Sequence, residues 1–226
     1  MACSPHQGRH RAATRTTPRP VPTVRAWTPP RASEESRRTR VPGSQRGTLA
    51  LSPKLGRWYL LEAFTADNFE DIEPCFRCYN IVCCVVDALP ETREAKRFQE
   101  THIGTVWLAL YVQQGLEPEW SHHEWLVKAP RTLILDETLR RFRDGTYVLR
   151  PDVRTIEDGE YFRQLKAPVR TIELEKWGHP VANYKHRQPD DFAHAEVYAT
   201  LATMRAALGE GEIFSIGFGP EGYADR

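Results

Sequence analysis

The chain has 226 residues and a formal net charge of +1, with 40% hydrophobic and 27% charged residues. This composition allows one folded domain with a sizeable core plus a tail, and the near-zero charge gives no sign of an overall basic surface. No apolar run reaches the ~18–20 residues of a membrane span, and the N-terminus lacks the apolar stretch of a secretory signal. We therefore expect no membrane association and a cytoplasmic location.

The charge is unevenly distributed along the chain. Residues 1–47 contain ten arginines, no lysine and two acidic residues, a net charge of +8, so the other 179 residues carry −7. This segment has seven prolines and no Ile, Leu, Phe or Tyr, so it cannot bury enough apolar surface to offset its chain entropy. We expect a disordered tail, which is either a basic arm for phosphates or an extension not native to the protein. The abrupt change in composition near Thr48 favours the second interpretation.

From residue 58 onward, hydrophobic periodicity predicts alternating strands and helices. The predicted strands cover residues 58–64, 81–88, 104–112, 125–129, 146–149 and 169–177. The predicted helices cover residues 67–80, 91–101, 134–143, 157–166 and 190–208. Residues 117–123 are predicted to form a loop, and the glycine-rich residues 209–226 an irregular tail. This order indicates an α/β fold with a mostly parallel sheet over residues 48–208.

The stretch from Ile81 to Pro90 is the most informative strand signal in the chain. Its apolar run, IVCCVV, is typical of a strand buried on both faces, and it ends in a single carboxylate, Asp87. Ligands of parallel sheets collect beyond the carboxyl ends of the strands, so Asp87 is a candidate site residue. The alternative is that Asp87 caps the helix that begins near Glu91.

The cysteines offer a weak zinc signal. Cys75 and Cys78 have the spacing of a zinc pair, but no second pair follows at a suitable distance. Cys83 and Cys84 are adjacent on a strand and must point to opposite faces. We therefore expect buried free thiols, which fits a reducing compartment.

The last predicted helix begins with Asp190 and Asp191, and His194 follows one turn later on the same face. Carboxylates at a strand end and a helix start can converge on one cation, and oxygen ligands suit Mg²⁺ or Mn²⁺. Two such ions about 3.5–4 Å apart support phosphodiester hydrolysis. The alternative is that the two aspartates cap the helix and complement its dipole, and that His194 is a hydrogen-bonded helix residue.

Three segments of the sequence occur in an order that resembles one known family. They are CVVDALPETR at residues 84–93, Arg131-Thr132 followed by Leu135-Asp136, and PDDFAHAEVYA at residues 189–199. Together they resemble the C-terminal nuclease domain of the large terminase subunit of tailed phages and prophages, over roughly residues 56–208. The first and last segments are the more specific ones.

This resemblance implies a ribonuclease H-like mixed sheet flanked by helices. It also implies a two-metal-ion endonuclease that cuts concatemeric double-stranded DNA in the cytoplasm of the bacterial host. Asp87 matches the family's acid at the end of a central strand, and Asp190, with Asp191 beside it, matches the acid at the start of the closing helix. His194 lies within that last motif and is a further candidate metal ligand. The implied metals are Mg²⁺ or Mn²⁺, and the implied partners are DNA, the small terminase subunit and the portal protein.

The sequence also departs from the family pattern. The family carries another essential Asp on the first strand of the domain, and we find no such strand, since only the Arg- and Pro-rich segment lies upstream of Leu49. We therefore expect an N-terminally truncated nuclease domain whose first strand is missing. No G-x-x-x-x-G-K-[ST] phosphate loop occurs in this sequence, so we expect no packaging ATPase domain in it. Two alternatives therefore stay open. One is a catalytically inactive remnant that at most binds DNA or a partner, and the other is a different ribonuclease H-like enzyme such as a transposase or resolvase.

Overall fold

A computed structural model describes residues 45–52, 57–89, 92–174, 180–206 and 213–220, of which 45–52 and 213–220 are described by their backbone. All of these residues belong to one compact unit. The described strands are β1 (Gln45–Ser52), β2 (Trp58–Ala66), β3 (Ile81–Asp87), β4 (Val106–Val112), β5 (Glu119–Ser121), β6 (Leu126–Pro130), β7 (Tyr147–Val148), β8 (Val169–Leu174), β9 (Pro180–Lys185) and β10 (Ile213–Pro220). The described α-helices are α1 (Glu73–Cys78), α2 (Thr92–Thr101), α3 (Arg131–Arg143), α4 (Glu160–Leu165) and α5 (Asp191–Ala206). Short 3-10 helices precede α1 and α4, at Phe69–Ile72 and Ile156–Gly159.

Eight strands form one mixed sheet in the order β5-β6-β4-β3-β10-β1-β2-β7. The four strands β6, β4, β3 and β10 run parallel to one another and form its centre. On one side β5 pairs antiparallel with β6, and on the other β1 pairs antiparallel with both β10 and β2. The carboxyl ends of the parallel strands therefore share one edge of the sheet.

Side chains of β3 alternate between two hydrophobic cores because successive residues of a strand point to opposite faces. Cys83 and Val85 pack with residues of α3 and α5, whereas Cys84 and Val86 pack with residues of α1 and α2. Each residue from Cys83 to Val86 is at most 2% exposed. The sheet is thus covered by helices on both faces, which confirms the predicted α/β class and the burial of this strand.

Strands β8 and β9 form a separate antiparallel hairpin. The Asp136 carboxylate of α3 anchors it by accepting hydrogen bonds from the Tyr184 hydroxyl at 2.7 Å and from the Arg170 Nε at 2.9 Å. Residues beyond this anchor are open to solvent, with Ile172 68% and Leu174 75% exposed. The sequence predicted β8, whereas β9 has no counterpart among the predicted strands.

The prediction of an irregular tail at residues 209–226 is wrong where it covers β10. Residues 213–220 form a strand in the centre of the sheet, with β3 on one side and β1 on the other. Gly217 and Gly219 weaken the strand signal of this segment, and only backbone pairing with two neighbours makes it a strand. Such pairing between distant parts of a chain leaves no local pattern.

Two related expectations are also corrected. The domain does not begin at residue 48, because residues 45–47 are part of β1. No strand was expected upstream of Leu49, but β1 begins at Gln45 and pairs with both β10 and β2. The rest of the tail predicted to be disordered, residues 1–44, lies outside the described residues.

The prediction of buried free thiols is confirmed for three of the four described cysteines and is wrong for Cys78. Cys75, Cys83 and Cys84 are buried free thiols, and Cys78 is an exposed one. Burial raises the pKa of the Cys75 and Cys83 thiols to about 12.

Among the described helices, none combines the length and apolar character that a membrane crossing requires.

Candidate functional site at the carboxyl edge of the sheet

Strand alternation aims two side chains from neighbouring strands at the same region. Val85 of β3 and Ala109 of β4 point into the core beneath α5. Asp87 and Tyr111 lie two residues further along the same strands, so they point to the same face of the sheet. Both residues sit at the carboxyl ends of their strands, where parallel sheets place their ligands.

Helix α5 presents a matching stripe of polar side chains. Asp190, His194 and Tyr198 are spaced four residues apart and so follow one face of the helix. The carbonyl of Asp190 accepts the His194 N–H at 3.0 Å, which places Asp190 at the N-cap. All three residues are at most 2% exposed although the rest of the helix is largely apolar. The start of α5 therefore brings its polar stripe over the strand ends.

The Asp87 carboxylate is held by two hydrogen bonds. The Tyr198 hydroxyl donates to Oδ2 at 2.5 Å, and the backbone N–H of Leu89 donates to Oδ1 at 2.9 Å. Burial raises the pKa of Asp87 to about 6, while these two hydrogen bonds and the charge of His194 act in the opposite direction. Asp87 is only 6% exposed, so both of these hydrogen bonds are made inside the fold.

Tyr111 connects the two halves of the site. Its hydroxyl is hydrogen-bonded to Nδ1 of His194 at 2.7 Å, and its ring stacks on the Tyr198 ring with centroids 5.6 Å apart. Asp87, Tyr198, Tyr111 and His194 thus form one continuous contact chain from strand to helix.

Asp190 continues this chain. Its Oδ2 lies 3.2 Å from Nε2 of His194, and its Oδ1 lies 2.8 Å from Nδ1 of His186, within ion-pair distance but without hydrogen-bond geometry. Burial would raise the pKa of Asp190, but His194, His186 and the charge of Arg131 together hold it below the ordinary value. The carboxylate is therefore an ionised acceptor surrounded by groups that can carry positive charge.

The alternative in which Asp190 and Asp191 serve only as helix caps is tested by the backbone contacts of the first turn. The N–H of Phe192 is bound by Oε1 of Gln164 at 3.0 Å, so a side chain of α4 caps this donor. Asp191 is the first residue of α5 and is 2% exposed. The Asp190 carboxylate faces the two histidines instead.

The structure brings together Asp87, Asp190 and His194, three of the four candidates from the sequence, and places Asp191 next to them in the chain. Sequence reasoning missed Tyr111, Tyr198 and His186. Two of these had a detectable signal, because Tyr198 lies four residues after His194 and His186 four before Asp190. Tyr111 had none, since its role depends on which strands are neighbours.

Within the described residues, no three His, Cys, Asp or Glu side chains are grouped closely enough to hold a metal ion by themselves. The donor chemistry still fits Mg²⁺, which is commonly held by one or two carboxylates with water and substrate phosphates completing its shell. Oδ1 of Asp190 supports this, because it is buried and accepts no hydrogen bond from the described residues. Asp190 is therefore the carboxylate with an oxygen that fits such an ion, and the side chains of His194, Tyr111 and Tyr198 separate it from Asp87.

A second concave region lies away from these acids. A groove of about 1030 Å³ runs between α3, α4 and β8, with apolar side chains from all three elements on its walls. None of Asp87, Asp190, Asp191 or His194 lines it. The chemistry predicted from the sequence therefore belongs to the carboxyl edge and not to this groove.

Comparison of the chain with models of protein families, with curated proteins and with solved structures finds no significant match.

Proposed function

We propose that this chain is a metal-dependent nuclease domain of the terminase large-subunit type, which cleaves double-stranded phage DNA at the carboxyl edge of its sheet. One observation carries the proposal: Asp87 and Asp190, which are 103 positions apart in the sequence, lie at the two ends of one contact chain that runs through Tyr198, Tyr111 and His194. Buried carboxylates at a strand end and a helix start are the arrangement that the family resemblance implies.

In this proposal Asp87 and Asp190 hold Mg²⁺ or Mn²⁺, with Asp191 and His194 as further candidate ligands. Ions bound there would make water a stronger nucleophile and stabilise the departing 3′ oxygen. Within the protein, Tyr198 orients Asp87 through its hydrogen bond, and Tyr111 orients His194. These contacts fix the direction in which each ligand presents its donor atom.

We further propose that the sheet is ribonuclease H-like, with β10 in the central place expected for the family's first strand. β10 is parallel to β3 and pairs Phe218 with Val86, next to Asp87. Its sequence, IFSIGFGP, contains no acidic residue, so the family's first-strand carboxylate has no counterpart there. The site then depends on the acids of β3 and α5.

The test is cleavage of supercoiled plasmid by the full chain with Mn²⁺, compared with EDTA and with Asp87→Asn. The matched control is Asp67→Asn, which changes an exposed aspartate outside the site. We expect cleavage that requires metal and Asp87 and that is unaffected in the control. Cleavage retained by Asp87→Asn would remove this residue from the mechanism.

The missing carboxylate on β10 favours one alternative, the inactive remnant that binds DNA or a packaging partner without cutting. A folded preparation that binds duplex DNA but shows no cleavage with Mg²⁺ or Mn²⁺ would establish that alternative. Whether the domain is an active nuclease or an inactive remnant, we propose the small terminase subunit and the portal protein as its packaging partners.

A further inference from the structure

Arg131 lacks the carboxylate partner that several other described arginines have. It is the first residue of α3 and follows Pro130, the last residue of β6, so it lies at the same sheet edge as the site. Arg140, Arg141, Arg150, Arg163 and Arg170 each form an ion pair with a carboxylate. Within the described residues, Arg131 has no carboxylate at ion-pair distance.

The guanidinium of Arg131 is also poorly satisfied by hydrogen bonds. Its one hydrogen bond is a long contact of 3.4 Å from Nη1 to the carbonyl of Tyr184. Its Nε is buried and has no acceptor among the described residues. A guanidinium has five N–H donors in a planar fork, so most of its donors remain available.

The surroundings of Arg131 favour an anion. The first turn of α3 contains no acidic residue, and the N-cap, Pro130, provides no side-chain acceptor. Such a helix start is favourable for negative charge. The positive charge of Arg131 also contributes to lowering the pKa of Asp190. The residue is half-buried, so it is held in place and still reachable.

We propose that Arg131 binds a backbone phosphate of the nucleic-acid substrate next to the acids of the site. Its planar fork matches two phosphate oxygens, which a lysine cannot reproduce. This inference rests on the proposed nuclease function, since it names the group that positions the substrate of that site. Arg131 fixes the position of the DNA backbone and carries no preference for base sequence.

The experiment measures DNA binding without cleavage. Full-length chain carrying Asp87→Asn is titrated against a fluorescein-labelled 20-base-pair duplex in EDTA, from about 50 to 200 mM salt. Arg131→Gln is expected to weaken binding about tenfold and to reduce the salt dependence by about one phosphate contact. The matched control, Arg97→Gln, changes an exposed arginine of α2, on the opposite face of the sheet, and is expected to bind within about twofold of the parent.

Arg131→Lys keeps the charge beside Asp190 and guards against a variant that fails to fold. It is expected to unfold at nearly the same temperature as the parent and to bind DNA with intermediate affinity. Unchanged DNA affinity in folded Arg131→Lys and Arg131→Gln would overturn the proposal. An NMR shift of the Arg131 Nε–H on adding inorganic phosphate, together with unchanged DNA affinity, would also overturn it and indicate a site for free anions only.

The result is separable from that of the cleavage test. Loss of cleavage in every preparation, with DNA binding that still depends on Arg131, would reject the nuclease and keep the phosphate contact. Metal-dependent cleavage, together with a DNA affinity that does not change when Arg131 is substituted, would support the nuclease function and reject the phosphate contact.

Discussion

The hydroxyl of Tyr198 donates a 2.5 Å hydrogen bond to the Asp87 carboxylate, and it joins the middle of α5 to the end of β3. Both residues are almost fully buried, so the bond is shielded from competing water. A hydrogen bond to a buried charged group contributes more than one between neutral groups, because its loss leaves a desolvated acceptor. This bond therefore sets both the geometry of the site and part of the stability of the fold.

Replacing Tyr198 by Phe should destabilise the chain in a pH-dependent way. The hydrogen bond lowers the pKa of Asp87, so its loss raises that pKa further above its value of about 6. A carboxyl whose folded pKa is raised contributes stability below its unfolded pKa and loses it as pH rises through the folded pKa. We expect a loss of about 1–3 kcal/mol at pH 8 and a smaller loss at pH 5, measured by urea unfolding.

The control for this prediction is Tyr59→Phe, which removes a half-buried hydroxyl from β2 without a described hydrogen bond. Tyr59→Phe should lower the free energy of unfolding only slightly at either pH. Equal losses at pH 5 and pH 8 in Tyr198→Phe would show that packing, and not the bond to ionised Asp87, is what the tyrosine supplies.

Glu196 of α5 provides a second pH-dependent contribution to the stability of the fold. It is fully buried, and burial raises its pKa to about 7 although Tyr161 donates a 2.7 Å hydrogen bond to its Oε1. Its contribution to stability is complete below the unfolded pKa of about 4.5 and is lost as pH rises through about 7. Glu196→Gln should therefore be more stable than the parent at pH 8, by about 3 kcal/mol as an upper estimate.

Between pH 5 and pH 8, the stability of Glu196→Gln should fall less with rising pH than the stability of the parent. Thermal unfolding across that range measures the difference. Glu94→Gln, on the exposed side of α2, is the matched control and should leave the pH profile unchanged. A Glu196→Gln chain with the parent's pH profile would assign the profile to other groups.

Thiol labelling should report the burial of β3. In a Cys3→Ser background, Cys78 should react rapidly with an aromatic disulfide reagent, since it is exposed. Cys75, Cys83 and Cys84 should react only after unfolding, because burial raises their thiol pKa values and excludes the reagent. Reaction of Cys83 or Cys84 in the native chain would contradict the double-sided burial of β3.

The hairpin of β8 and β9 should depend on one carboxylate. Asp136→Ala removes the acceptor shared by Tyr184 and Arg170, so the hairpin should open more often. We expect amide exchange in β8 and β9 to rise about fivefold, which corresponds to about 1 kcal/mol. Global stability should change less, because the Arg170–Asp136 pair is largely exposed.

Asp152→Ala is the comparison for the hairpin experiment. It breaks an exposed ion pair with Arg150, which also lies outside the hairpin. Exchange in β8 and β9 should stay at the parent rate. An equal rise in both variants would mean that the effect is general and that Asp136 is not the anchor.

The sequence by itself determined the elements whose residues carry their own periodicity. The apolar run ending in Asp87 predicted a doubly buried strand, and the spacing of Asp190 and His194 placed both on one helical face. These predictions succeeded because burial on two faces and the 3.6-residue period are local properties of the chain. The resemblance to terminase nucleases added an expectation of metal chemistry that stays a prediction.

The tertiary structure alone decided which residues became neighbours. It made residues 213–220 a central strand although Gly217 and Gly219 weaken its signal, because pairing with β1 and β3 outweighs local propensity. It brought Tyr111 against His194 across 83 positions of sequence. Contacts of this kind arise from strand order and helix placement, which depend on the free energy of the whole fold and leave no mark at any one position.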